Sequence, residues 1–135
     1  MASAGWALQR AIYEKLIADP SVTEALGGAR IHDDVPRGAE LPYVTIGQSS
    51  ARDWSTGTED GEEHTLTLHV WSRANGRRQV QQIMGLLRGA LNDAALTVAG
   101  HRLVNLHHEF GEARRDPDGG TYHGLMRFRA VTEPV

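Results

Sequence analysis

The chain contains no cysteine. Disulfides and thiolate metal sites are therefore excluded, and stability must come from packing, with partner subunits as an optional further source. It has no apolar run long enough to span a bilayer and no charged-then-apolar pattern at its N-terminus, so a cytosolic protein is the default expectation. It also lacks an excess of positive charge. Formal charge is -3, which leaves no basic field to hold nucleic acid non-specifically. The short basic pairs are Arg77-Arg78 and Arg114-Arg115.

Catalytic motifs are missing too. There is no G-x-S-x-G nucleophile elbow, no G-x-G-x-x-G and no Walker loop. Ser49, Ser50 and Ser55 have no paired base at a recognisable spacing. The acidic stretch Glu59, Asp60, Glu62, Glu63 does not carry the spacing of a calcium loop, and reads as a solvated or partner-facing patch. Seven histidines raise the question of a metal. No H-x-x-x-H pair sits on a helix, and adjacent His107 and His108 in a strand diverge to opposite faces. His64 and His69, an odd number apart, diverge as well. The expectation is sheet-face or interface histidines, no catalytic residue, no metal and no cofactor.

What is present is ordinary in amount and informative in pattern. At 135 residues, 40% apolar and 23% charged, residues 1–135 read as a single soluble domain with a modest core. Leu8, Ile12 and Leu16 recur every fourth residue, with Ala11 beside them, and predict a first helix over about Ala4 to Ala18. Asp19-Pro20 ends it. Ser21, with Glu24 three residues on, predicts a capped short second helix that Gly27-Gly28 closes. Short strands are expected over Ala29 to Asp33 and Pro42 to Gln48, joined by a Pro36 and Gly38 loop. Glu63 to Arg73 alternates strictly: Leu66, Leu68 and Val70 on one side, Thr65, Thr67, His69 and Trp71 on the other.

Asn75-Gly76 breaks that pattern. The main helix, about Arg77 to Asn92, follows from Val80, Ile83, Met84, Leu87 and Leu91. Gly85 and Gly89 inside it predict a close packing contact, because each costs about 1 kcal/mol relative to alanine. Thr97-Val98 is a short extended piece. Strands over His101 to Phe110 and Thr121 to Thr132 are joined by the hairpin residues Asp116 to Gly120. Partly segregated strands and helices give an α+β class: a mostly antiparallel sheet of four to five strands with two main helices on one face.

Two polar segments interrupt this frame. The loop from Ala51 to Glu62 has Trp54 as its only large apolar side chain. Arg52 and Trp54 are of the types that dominate interface hot spots, although Trp54 could instead fold back on its own domain. The second is the charged tip from Gly111 to Gly120.

Four blocks together carry a resemblance: LQRAIYEKLIADPSVTEAL, ARIHDDVPRGAELPYVTIGQ, RDWSTGTEDGEEHTLTLHVWS, and GHRLVNLHHEFGEARRDPDGGTYHGLMRFRAVTEP. In order and pattern the chain resembles the tail terminators, or tail completion proteins, of long-tailed phages, and most of all those of gene transfer agents. The resemblance implies a structural virion protein and not an enzyme. It implies a homo-hexameric ring that caps the tail tube, stops tube polymerisation and offers a docking surface to the head-tail connector. DNA would pass through without sequence-specific binding. The protein would be cytoplasmic during assembly and then part of the particle at the head-proximal end of the tail, with no membrane association. Protein-interaction residues implied by the matching blocks are Arg52, Asp53, Trp54, Thr56, Glu59 and Asp60 in the first loop, and Arg114, Arg115 and Asp116 in the second. The alternatives are a head-completion or neck protein of similar build and a histidine-dependent metalloenzyme.

Overall fold

The computed structural model describes residues 3–73 and 76–135; Asn75, expected to break the strand pattern ahead of the main helix, lies outside them. Helix α1 spans Ala4–Ile17, with the Ser3 hydroxyl accepting from the Trp6 N–H. Helix α2 spans Pro20–Leu26. Its cap is Asp19, whose carboxylate accepts from the Ser21 and Val22 N–H groups at 2.9 and 3.4 Å. The expected Ser21–Glu24 capping box is thereby corrected. Proline is well suited to the first helical position, since its φ is already helical and its missing N–H costs nothing there, so the helix starts two residues earlier. Gly27, at φ +80°, closes α2 as expected.

Five strands follow: β1 Ile31–His32, β2 Tyr43–Asp53, β3 Glu62–Ser72, β4 His101–Arg115 and β5 Tyr122–Pro134. Helix α3, Arg78–Leu91, lies between β3 and β4. The sheet order is β1-β2-β3-β5-β4, and β1–β2 is its parallel pair. The α+β class with a mostly antiparallel sheet is what the structure has. Strands β2 and β4 run five residues further than expected, and β5 runs two further. Strand β2 continues to Asp53, pairing Arg52 with Glu63 and Asp53 with Glu62, and β4 continues past Phe110 to Arg115. A ladder needs only a partner backbone, and β3 and β5 supply one although the side chains there are polar. Strand β1 is shorter than expected. The Arg30 guanidinium is held instead by the Leu41 carbonyl and Glu40.

The core lies between the helices and one sheet face. Leu8, Ile12 and Leu16 of α1, all five predicted apolar positions of α3, and Leu66, Leu68 and Val70 of β3 are buried together with Met126, Phe128 and Ala130 of β5. Helix α3 can approach β5 because residue 124 is glycine: a Cβ there would stand 2.6 Å from Met84 Sδ and 2.9 Å from Val80 Cγ2. The close contact expected at Gly85 and Gly89 is absent. Both are exposed, and nothing lies within 4 Å of where their Cβ would be. The tight fit falls on the strand glycine that faces the helix.

Candidate assembly surfaces at the two ends of the sheet

The two predicted polar segments lie at opposite ends of the strands. Strand β3 begins at Glu62, beside the first loop, and ends at Ser72, which pairs with Tyr122 beside the hairpin. Eleven residues separate the ends by roughly 30 Å, at about 3.3 Å per residue. The nine candidate residues therefore form two groups that one flat contact would not join.

At the first end, the turn is closed by its own hydrogen bonds. The Trp54 N–H donates to the Gly61 carbonyl and the Thr56 N–H to the Glu59 carbonyl, each at 2.8 Å. The Thr56 hydroxyl accepts from the Glu59 N–H at 3.1 Å, and the Ser55 hydroxyl from the Gly61 N–H at 3.2 Å. Asp53 accepts from the Ser55 N–H at 2.9 Å. Hydrogen bonds from the Ser55 hydroxyl and N–H hold its carboxyl below the usual range. Arg52 lies on β2, with Nε 2.6 Å from Glu63 Oε1; Arg129 Nε meets the other Glu63 oxygen at 2.7 Å. Glu63 is kept ionised by Arg129 first and Arg52 second.

Trp54 is 47% exposed, and the Arg129 guanidinium stands 5.1 Å from its ring centre. Its indole is thus laid partly on its own sheet while half its surface stays open. Asp53, Glu59 and Asp60 meet no arginine within ion-pair distance among the described residues.

At the other end, Arg114 and Arg115 are the last residues of β4, and Asp116 opens the turn. Its N–H donates to the Thr121 carbonyl at 2.7 Å, and Gly119, at φ +77°, returns an N–H to the Asp116 carbonyl. Asp118 organises the tip, a role that sequence reasoning missed. Its carboxylate accepts from the Gly120 N–H and the Thr121 N–H at 2.9 Å each, and from the Thr121 hydroxyl at 2.8 Å. The Thr121 hydroxyl, then the two N–H groups, hold its pKa low. The spacing D-G-G-T, an acidic side chain two and three residues before the N–H groups it accepts, is the signal that was available. The Arg115 and Arg77 guanidiniums each stand 5.9 Å from the Tyr122 ring centre.

Between the two ends, the sheet face that the helices leave open carries a cluster that was not anticipated. Trp71 of β3 and His123 of β5 are register partners whose rings stack 4.0 Å apart at 2°. His69 Nδ1 lies 2.7 Å from His123 Nε2. One ring nitrogen donates and the other accepts, so the pair is held neutral or shares one proton. Burial lowers both pKa values; for His123 the His69 and Arg114 charges add to this, against Asp116 and Glu112. Gly47 of β2 makes room for the cluster, since a Cβ there would come within 2.6 Å of His69 Nε2. Further along the face, Arg127 covers exposed Phe110 at 5.2 Å. His107 and His108 do diverge: His107 reaches Asp93 at 2.8 Å, and His108 packs edge-on against Phe128. His64 is on the core side, 2.9 Å from the Thr132 hydroxyl.

The architecture is that of a helix-backed sheet with a half-polar open face and a built, charged turn at each end. A family model, tail completion protein gp17, matches residues 10–133, and the chain belongs to that family. Tail completion protein gp17 of Bacillus phage SPP1 is 29% identical over 123 residues, which is 91% of this chain and 90% of that relative. Among solved structures, a chain of the virion of a native gene transfer agent particle superposes with a TM-score of 0.89 at 29% identity, covering 98% of this chain and 99% of that one. The structure of SPP1 gp17 superposes with a TM-score of 0.62 at 24% identity over 96% and 95% of the two chains, a likeness of fold. The chain is accordingly a tail completion protein, a structural component and not an enzyme. No helix among the described residues is long and apolar enough to cross a membrane.

Proposed function

We propose that the chain, acting as one domain over residues 1–135, assembles into a hexameric ring on the last ring of the tail tube. The ring stops tube growth and presents the docking surface for the head-tail connector. DNA passes through it without sequence-specific binding. Assembly takes place in the cytoplasm, and the protein then stays at the head-proximal end of the tail of a gene transfer agent or phage particle.

The observation that carries this reading is the near full-length match to a chain of a gene transfer agent virion, together with the family membership. The geometry is in keeping with it. A cyclic ring needs two different lateral patches on each subunit, and a ring between two other proteins needs two different ends. Arg52, Asp53, Trp54, Thr56, Glu59 and Asp60 serve contacts at one end of the sheet, and Arg114, Arg115 and Asp116 at the other. Deletion of the gene tests the role. Tails longer than the wild-type length that fail to join heads are expected. Tails of normal length whose heads lack a neck would instead make this a head-completion protein.

A further inference from the structure

Five arginines gather at the hairpin end: Arg73 after β3, Arg77 and Arg78 at the start of α3, and Arg114 and Arg115 at the end of β4. All are exposed. Arg77 and Arg115 share the Tyr122 ring, Arg73 lowers the pKa of Asp118, and Arg114 lowers that of His123. None of the five forms an ion pair among the described residues. In a chain of net charge -3, this end carries a local positive excess, five arginines against Glu112, Asp116 and Asp118.

The fold gains little from it beyond the two exposed contacts with the Tyr122 ring and the field of Arg73 at Asp118. Arg77 is the N-cap of α3 without a side-chain capping bond, Arg78 is the first helical residue, and the first turn has no acidic residue. Positive charge at that end of a helix opposes the macrodipole, and neighbouring guanidiniums repel one another. A local rule broken for so small an internal return points to a surface shaped by something outside the chain.

We propose that this arginine-bearing end is the docking surface for an acidic surface on another protein of the particle, distinct from the partner met by the Trp54 end. The inference rests on the ring reading above. Arginine forks match carboxylates in pairs, and arginine beside tyrosine is the composition of interface hot spots. Nucleic acid fits less well. Glu112, Asp116 and Asp118 stand among the arginines and would repel a phosphate chain, whereas a protein surface can answer both signs. A second copy fits less well too. The acidic group Asp53, Glu59 and Asp60, without an ion pair among the described residues, sits at the opposite strand end, and pairing it with the arginines of another copy would stack copies end to end, the growth that a terminator stops.

The test uses heads and tails isolated separately from a strain lacking the protein, with the wild-type chain, R77E/R114E, and E59K/D60K. Wild type is expected to bind both at low salt. R77E/R114E is expected to lose about tenfold or more in affinity for one of the two and to keep the other. E59K/D60K is expected to keep the partner that R77E/R114E loses. Unfolding midpoints report folding, and an acidic residue at position 77 suits the helix end. Equal binding by all three proteins, or loss of heads and tails together by R77E/R114E, would overturn the inference. So would a duplex DNA affinity removed by R77E/R114E, which would assign the surface to nucleic acid, or a loss of self-association in sedimentation, which would assign it to neighbouring copies. Wild type that binds neither heads nor tails would sink the ring reading itself.

Discussion

Three glycine-to-alanine substitutions should move stability in opposite directions for reasons visible in the fold. Gly85 and Gly89 lie on the exposed face of α3 with open space around the absent side chain. Alanine there removes backbone freedom from the unfolded chain and meets nothing in the folded one. Each should stabilise by about 0.5–1 kcal/mol, and the pair by about 1–2 kcal/mol. Gly124 faces the same helix from below. Its new methyl would fall 2.6 Å from Met84 Sδ and 2.9 Å from Val80 Cγ2. Met84 can swing, but Val80 is fully buried and branched, so α3 must lift. Overpacking of this kind costs about 1–3 kcal/mol.

The assay is urea unfolding followed by circular dichroism at constant slope, with V80A added to G124A as a double-mutant cycle. Contacting residues should give a coupling of about 0.5 kcal/mol or more. Because Val80 sits in the first turn of α3, G124A should also disturb the neighbouring Arg77 and Arg78. A G124A protein as stable as wild type, additive behaviour with V80A, or loss of stability on G85A and G89A would refute the packing argument.

Four further outcomes follow. Burial lowers the pKa of His64, His69, His108 and His123 in the folded state. The unfolded chain therefore takes up protons first, and stability is complete above the ordinary histidine value of 6.5 and falls as pH drops below it; a urea midpoint that rises on acidification through that window would contradict this. W54A should cost about 1 kcal/mol or less of stability, the worth of an exposed cation–π contact. If Trp54 is an anchor, the same change should weaken docking by about fivefold or more, and pull-down with unchanged retention would return Trp54 to its own domain. G47A should displace the His69 ring and change Trp71 fluorescence, with an unaltered spectrum counting against the stacked cluster. D118A should loosen the hairpin tip, read as faster amide exchange at Gly120 and Thr121, and protected amides there would disprove its organising role.

Much of the frame was legible because burial writes a period into the sequence. The stripes of α1 and α3 and the alternation of β3 each face one core, and DPDGG marks its turn by backbone chemistry. The polar half of β2, from Ser49 to Asp53, is not legible as strand because both its faces are exposed and no apolar alternation is required of it. The same holds for β4 beyond Phe110. Residue types suggested contact at the two ends but not that the ends are opposite, which depends on strand order. The His69–His123 pair, 54 residues apart in sequence, exists only through the β3–β5 register. Asp19 is masked as a cap by the Ser21–Glu24 motif, and the signal that identifies it is Pro20, which suits the first helical position.

The most direct test of the account is electron microscopy of wild-type tails with the protein labelled. Sixfold-symmetric density at the head-proximal tip of every completed tail, carrying the label, is the expected result. Completed tails whose tips lack this polypeptide, or label spread along the tube, would contradict it.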